Sequence, residues 1–248
     1  MNNLTDIKDK KILVLGASSG IGRETAITLS RLGAKVIITA RREDKLQEVL
    51  ASLEGEGHAY YVCDVSEDAA PAELFTQVAA AQGPLDGMVY SVGILGTIPI
   101  KMLTPEKLKN VFNSNFFPFV ECVRQFSKKG RYNEGAKIVA VSSVAAVRGD
   151  KARVAYSSSK AAVNAAVRCL AVELAEKKIN VNAVAPSVIA TEMYQSFVSG
   201  TAGEISDRQY LGLGKPEDVA SMIAYLLSPA ANFITGSIVN VDGGLSSN

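Results

Sequence analysis

The 248-residue sequence predicts a doubly wound α/β fold on a parallel sheet. Three observations carry this reading. Seven short runs are apolar almost throughout and rich in branched residues, the mark of strands buried on both faces. Longer amphipathic stretches separate them. The first run passes through a glycine-rich turn straight into the first of these stretches. The expected strands are residues 11–15, 35–39, 60–62, 87–90, 137–142, 180–185 and 237–241. The expected helices are residues 21–32, 43–53, 71–81, 105–128, 154–177 and 216–227. Gly33 stops the first helix, and Leu46, Val49, Leu50 and Leu53 form one stripe on the second. Thr104 and Pro105 start the fourth as cap and first helical residue, and Pro216 opens the last before Glu217-Asp218. With no Pro/Ser-rich linker and no internal repeat, residues 1–248 read as one domain. Residues 187–214 lack a strong strand pattern, and a segment that long and irregular reads as a lid over a site.

Composition excludes several classes. Lys+Arg is 26 against Asp+Glu 25, a net charge of +1, which argues against a nucleic-acid partner. Cys63, Cys122 and Cys169 are too few and too scattered for a disulfide framework or a zinc site. The single histidine, His58, follows Gly55 and Gly57 and reads as a loop residue, so neither a His-rich metal site nor a His-dependent triad is expected. No stretch approaches the roughly 18 uninterrupted apolar residues of a membrane span. The N-terminal stretch MNNLTDIKDKK shows no apolar signal core. These features give the expectation of a cytoplasmic protein with no membrane partner and no metal.

Gly16-Ala17-Ser18-Ser19-Gly20-Ile21-Gly22 joins the first strand to the first helix. Glycines there permit a tight turn and close approach of backbone to a phosphate, and the helix N-terminus supplies N–H donors and a positive dipole end. The spacing is G-x-x-x-G-x-G; in its strand–helix context it reads as a dinucleotide cradle, the alternative being an ordinary turn. A carboxylate ending the second strand would accept the ribose hydroxyls of NAD. Here Ala40 precedes Arg41 and Arg42, and a guanidinium can fork onto a 2′-phosphate. The reading is therefore NADP rather than NAD, the alternative being a solvated basic pair opening a helix. Asp64, after the third strand, is placed to meet the adenine edge or to cap its own loop.

Tyr156 and Lys160 stand four residues apart near a helix start, so phenol and ammonium share one face. Ser143 closes the fifth strand at its carboxyl end, the edge where open α/β sheets bind ligands. Hydride transfer to a ketone develops negative charge on oxygen and needs a proton donor in reach. A free tyrosine has a pKa of about 10, and bringing it near neutrality requires roughly 4 kcal/mol of phenolate stabilisation. An ammonium ~5 Å away supplies about 3 kcal/mol at an effective dielectric of 20.

At this point the residues resemble the short-chain dehydrogenase/reductase family, over residues 11–244. The resemblance rests on the glycine turn, Asp64-Val65, Asn115, Ser143, Tyr156 with Lys160, Asn182 four residues before Pro186, and Val241-Asp242-Gly243-Gly244. It implies a Rossmann-type seven-stranded parallel sheet of order 3-2-1-4-5-6-7 flanked by helices, an NAD(P)-dependent oxidoreductase, and a homotetramer or homodimer. It implies Tyr156 as acid/base, Lys160 binding the nicotinamide ribose and lowering the tyrosine pKa, Ser143 positioning substrate and Asn115 holding a relay water. For the cofactor it implies Gly16, Ser18, Ser19, Gly20, Ile21, Gly22, Arg41, Arg42, Asp64, Val65, Ser91, Val92, Gly93, Pro186, Ser187, Val188, Ile189 and Thr191. The closest likeness is to 3-oxoacyl-[acyl-carrier-protein] reductases. Three positions depart from the family pattern. Leu15 stands where threonine is usual, Tyr90-Ser91-Val92-Gly93 replaces Asn-Asn-Ala-Gly, and Pro186-Ser187 replaces Pro-Gly. The first two remove side chains that support the sheet centre and the adenine ribose.

The expected reaction is hydride transfer between NADP(H) and a carbonyl or secondary alcohol, with a 3-oxoacyl thioester as the expected substrate. The alternatives are a sugar, polyol or other small-ketone dehydrogenase and, from another class, a non-catalytic NADP-binding regulator. Met193, Tyr194, Phe197, Ile205 and Tyr210 give the lid apolar residues beside Glu204, Asp207 and Arg208. Lys128, Lys129 and Arg131 are the candidate contacts for an acyl-carrier protein, the alternative being a solvated charge run. Ala161, Ala162, Ala165 and Ala166 give the long helix at 154–177 a small-residue face suited to self-association.

Overall fold

A computed structural model describes residues 6–195 and 208–247. Seven parallel strands form one sheet: β1 (Lys11–Leu15), β2 (Lys35–Ala40), β3 (Ala59–Val62), β4 (Leu85–Tyr90), β5 (Tyr132–Val141), β6 (Asn180–Pro186) and β7 (Ile238–Val241). Their order is β3-β2-β1-β4-β5-β6-β7, so the sheet reverses direction of growth between β1 and β4. The helices are α1 (Gly20–Arg31), α2 (Glu43–Ala51), α3 (Ala70–Gln82), α4 (Pro105–Asn115), α5 (Phe117–Phe126), α6 (Val154–Glu173), the short α7 (Glu192–Gln195) and α8 (Pro216–Leu227).

The continuous apolar runs bury both faces of the sheet. Alternate residues of β1 divide between two cores. Leu13 and Leu15 join Phe75, Phe119 and Val163 beneath α3, α5 and α6, while Ile12 and Val14 join Leu29, Leu46 and Ile223 beneath α1, α2 and α8. His58 accepts from Val36 N at 3.0 Å through Nδ1 and reaches Glu54 O at 2.9 Å through Nε2, which fixes the proton on Nε2 and makes it a strut of the β2–β3 connection.

Several ends shift by a few residues from the sequence expectation, and two differences have a clear physical cause. β5 starts at Tyr132, five residues early, because Tyr132 pairs with Leu85 ahead of an irregularity in the ladder. The expected helix over 105–128 is broken at Phe116, whose φ and ψ are −120° and −57°. Pro118 is the cause: it has no N–H to donate to the carbonyl of Ser114, and its ring crowds that carbonyl. The freed oxygen accepts instead from the buried Tyr90 hydroxyl at 3.0 Å.

Tyr90 also explains two of the family departures together. It sits beside Leu15 in the β1–β4 register, and both belong to the same core. Its ring packs on Phe119 at 5.4 Å between centroids. An apolar pair thus fills the sheet centre where the family pattern places polar side chains. Tyr90→Phe is expected to lower unfolding stability by about 1–3 kcal/mol by orphaning the Ser114 carbonyl. Phe119→Ala is expected to cost about 3–5 kcal/mol, whereas Phe233→Ala, at a fully exposed ring, should stay within about 0.5 kcal/mol. Urea unfolding of the three variants checks the order.

Candidate active site

A cleft of about 380 Å³ opens at the carboxyl ends of the strands, over the β1–β4 reversal. Crevices at such a reversal are the ligand sites of open α/β sheets. At one end is the glycine turn. Gly16 has φ +82°, and a Cβ there would lie 2.7 Å from Ser91 O. A Cβ on Gly22 would lie 2.2 Å from Gly16 O, so only glycine lets α1 seat on the strand end. Ser19 precedes α1 without capping it, and the first turn carries no acidic side chain. Ser18, Ser19, Gly20 and Ile21 line the cleft with this uncapped helix end, a binding site for an anion.

Beyond the turn, Arg41 and Arg42 stand at the end of β2. Arg42 donates to Ser18 Oγ at 3.2 Å, bridging the turn and β2. Arg41 pairs with Asp64 at 3.4 Å, its side chain 70% exposed. Asp64 also accepts from Ser66 N at 3.0 Å and Ser66 Oγ at 2.6 Å. Although burial opposes ionisation, the Ser66 hydrogen bonds and Arg41 hold the Asp64 carboxyl below its usual value. Val65 is buried next to it, and Ser91, Val92 and Gly93 line the floor after β4. Ser91 N donates to Leu15 O at 2.9 Å, closing that floor onto β1.

The proposed chemical residues converge at the other end. Ser143 follows β5 by two residues and caps a 3₁₀ turn, Val144–Ala146, accepting from Ala145 N at 3.1 Å. Its hydroxyl donates to Pro186 O at 3.4 Å, and it is near enough to the Tyr156 phenol to lower that group's pKa. Lys160 Nζ lies 5.9 Å from the Tyr156 ring centroid and donates to Val141 O at 2.8 Å. Asn115 is fully buried. It accepts from Ile94 N at 2.8 Å, and its Nδ2 reaches Ile94 O at 3.1 Å and Ser159 Oγ at 3.0 Å.

Burial works against the acidity expected of Tyr156. The chain's own groups do not bring the tyrosine below its ordinary pKa. Burial raises the Tyr156 pKa above its ordinary value, outweighing the Ser143 hydroxyl and the nearby Arg153 charge. Burial also pushes Lys160 down to about 8, so the ammonium itself begins to discharge just above neutrality. Without an added positive charge the phenol stays protonated, the form that donates a proton.

Pro186, Ser187, Val188, Ile189 and Thr191 form the far wall. Gln209, which the sequence reading did not single out, anchors this segment: it accepts from Val188 N at 2.9 Å and donates to Gly212 O at 2.6 Å. Ile189 bridges to Gly214. Of the expected lid residues, Glu192, Met193 and Tyr194 line the cleft, Arg208 and Tyr210 are exposed, and Phe197, Glu204, Ile205 and Asp207 lie outside the described residues. Also unforeseen in the lining are Asp150, Arg153 and Leu245, with Ile94, Leu95, Val144 and Ala145. Arg131, a candidate carrier contact, is engaged with Gln125 Oε1 at 2.7 Å and Thr76 at 3.0 Å.

The cleft fits a dinucleotide on its own features. Ser187 Oγ and Thr39 Oγ1 are buried in its lining with no hydrogen-bond partner, and the Gly16 cradle leaves no room for a side chain. Among the described residues no group of three His, Cys, Asp or Glu side chains is placed to hold a metal, and no helix is long and apolar enough to cross a membrane.

Comparison with known proteins agrees with this architecture. A family model described as Enoyl-(Acyl carrier protein) reductase matches residues 16–246. The chain is 34% identical to versicolorin reductase stcU of Emericella nidulans, with 95% of each chain covered. It is 29% identical to 7alpha-hydroxysteroid dehydrogenase of Escherichia coli, over 95% of this chain and 93% of that one. A glucose/ribitol-type short-chain dehydrogenase structure from Brucella melitensis superposes with TM-score 0.90 at 28% identity, covering 97% of this chain and 98% of that one. Sheet order, cleft and sequence together place the chain in the short-chain dehydrogenase/reductase family, as an oxidoreductase using NAD or NADP on small molecules.

Proposed function

We propose that this protein is an NADPH-dependent carbonyl reductase of the cytoplasm, acting as a single domain, with Tyr156 as the proton donor. The observation that carries the reading is the convergence of Ser143, Tyr156 and Lys160 in the same cleft that the glycine turn lines. Bound in the cleft, the reduced nicotinamide supplies the hydride. Ser143 holds the carbonyl oxygen by a hydrogen bond, Tyr156 gives its phenolic proton to that oxygen, and Lys160 stabilises the phenolate left behind. Asn115 keeps the β4 loop and α6 in register, and Lys160 binds the ribose. Gly16, Ser18–Gly22, Asp64, Val65, Ser91–Gly93, Pro186–Ile189 and Thr191 hold the rest of the cofactor. Arg41 and Arg42 favour the 2′-phosphate. The unpaired Cys63, Cys122 and Cys169 accord with a reducing compartment.

The substrate reading is a 3-oxoacyl thioester or a related ketone. A second reading, a bulky cyclic ketone, is favoured by the apolar lining of Ile94, Leu95, Val144, Met193 and Leu245. Of the relatives, one is named a versicolorin reductase and another a 7alpha-hydroxysteroid dehydrogenase, a steroid being a bulky cyclic substrate. NADPH oxidation against 3-oxoacyl thioesters, cyclic ketones and ketoses separates these and tests the regulator alternative, which would turn over none.

Three results are expected. Tyr156→Phe should lose about 10²–10⁴-fold in turnover with NADPH affinity nearly unchanged, since only the transferable proton is removed. Lys160→Ala should weaken both. In the wild type the Lys160 charge is present below its pKa of about 8 and lost above it. NADPH affinity, read by fluorescence, should therefore fall by up to about tenfold between pH 7 and pH 9, and Lys160→Ala should flatten that fall. Wild-type turnover in Tyr156→Phe would end this mechanism.

The second expectation concerns cofactor choice. Arg41→Asp should weaken NADPH and favour NADH, because it reverses the charge facing the 2′-phosphate and removes the partner of Asp64. A tenfold preference of the unmodified protein for NADH would reject this role for Arg41.

The third is self-association into a homotetramer or homodimer. α6 leaves Ala165, Val154 and Val172 exposed, and α5 leaves Phe117 and Val120 exposed. A stable monomer at micromolar concentration in light scattering would reject it.

A further inference from the structure

Tyr156 has cations on both sides along its own helix. Lys160 lies one turn onward, Nζ 5.9 Å from the ring centroid, and Arg153 one turn back, its guanidinium carbon 5.8 Å from the same centroid. Residues three and four apart share a helix face, so positions 153, 156 and 160 form one stripe, and all three line the cleft. Arg153 is the residue immediately before α6, and it is only 6% exposed. Burying a guanidinium this deeply is costly unless other groups offset the desolvation. Asp150 in the preceding loop supplies counter-charge, and the tyrosine ring supplies a polarisable face.

We propose that Arg153 is a positioning residue for the proton-transfer step, its guanidinium holding the Tyr156 ring and favouring the phenolate from the N-terminal side as Lys160 does from the C-terminal side. The proposal rests on Tyr156 being the acid/base group. The two cations differ in a useful way. Lys160 is committed to the Val141 carbonyl, and its charge fades above pH 8. Burial lowers the Arg153 pKa as it does that of Lys160, but from the much higher starting value of a guanidinium, so its charge outlasts that of the ammonium. Arg153 therefore supplies an attraction that persists where that of Lys160 fails. It acts on the ring face before proton transfer and more strongly on the oxyanion after it.

The charged groups seen to act at the ring and at Arg153 are Lys160 on α6, Arg153 immediately before it, and Asp150 in the preceding loop. From β5, Ser143 contributes a neutral hydroxyl, and from α4, Asn115 contributes a neutral amide. Arg153 lowers the tyrosine pKa, in opposition to burial. Asp150 sustains the Arg153 charge but offsets part of its field. Removing either charge should thus move the tyrosine in opposite directions.

The test labels the hydroxyl-bearing ring carbon of tyrosine with ¹³C and follows the Tyr156 signal by NMR through the alkaline range. The signal is identified by its loss in Tyr156→Phe. In Arg153→Gln the titration midpoint should rise by about one unit or more, Arg153→Lys should recover most of the shift, and Asp150→Asn should lower the midpoint. An unchanged midpoint in folded Arg153→Gln overturns the proposal. Should that variant fail to fold, Asp150→Asn decides: a midpoint that does not fall overturns it. A raised KM with an unmoved midpoint also overturns it and makes Arg153 a substrate anchor. The titration needs no turnover. A shifted midpoint in a protein that reduces no ketone would therefore uphold Arg153 and sink the reductase reading.

Discussion

The side-chain amide of Asn115 joins the segments on which the whole carboxyl edge depends. Its carbonyl takes the N–H of Ile94 in the loop after β4, and its NH₂ spans the Ile94 carbonyl and Ser159 on α6. Ser159 in turn donates to the carbonyl of Tyr156 at 2.7 Å. One buried amide with its bonding capacity nearly filled therefore sets the distance between the cofactor floor and the helix bearing phenol and ammonium. A half-satisfied amide in so dry a place would cost more than it contributes. The break at Phe116 is part of the same arrangement, because it ends α4 on Asn115 and starts α5 in a new direction.

That break ties the core to the chemistry. Pro118 frees the Ser114 carbonyl, the Tyr90 phenol takes it, and Tyr90 fills the sheet centre next to Leu15. Positions 15, 90 and 118 are thereby coupled through contact and hydrogen bonding. An asparagine at 90 would leave a void against Phe119 and put a polar amide beside Leu15, so the usual family pair is excluded piecemeal and tolerated only as a set. The departures from the family pattern replace one way of bracing the sheet with another, and they leave Ser143, Tyr156 and Lys160 together.

The elements legible in the sequence were those with a strong local signal. Continuous apolar runs marked the strands, and Pro216 with Glu217-Asp218 marked α8 to the residue. The glycine turn and the four-residue spacing of Tyr156 and Lys160 were readable because local geometry alone brings those groups together. What was not legible required contact across the chain. Pro118 sits in an apolar stretch that reads as unbroken helix until Tyr90 is seen to take the orphaned carbonyl. Residues 132–136 include Asn133, Glu134 and Gly135, which hide the first half of β5. Arg153 and Asp150, just before a helix, carry no local signal in the sequence, and only the fold shows them lining the cleft. The Lys160 charge beside Tyr156 is visible in the sequence, whereas the desolvation of the phenol, which raises its pKa in the chain alone, is visible only in the fold.

Gln209 behaves as a piece of borrowed backbone. Its amide pairs with both the N–H and the carbonyl of Val188, as the next residue of a β-ladder would, and Ile189 and Gly214 continue the pairing. The stretch through Val188 and Ile189 and the stretch from Gln209 to Gly214 are therefore stapled to each other beside the cleft. For a loop whose ends are already closed, added length costs little, since each doubling adds only about 0.6 kcal/mol of closure entropy. Insertions between positions 195 and 208 are therefore expected to cost little stability, because the pairing that joins the flanking stretches lies outside the inserted length.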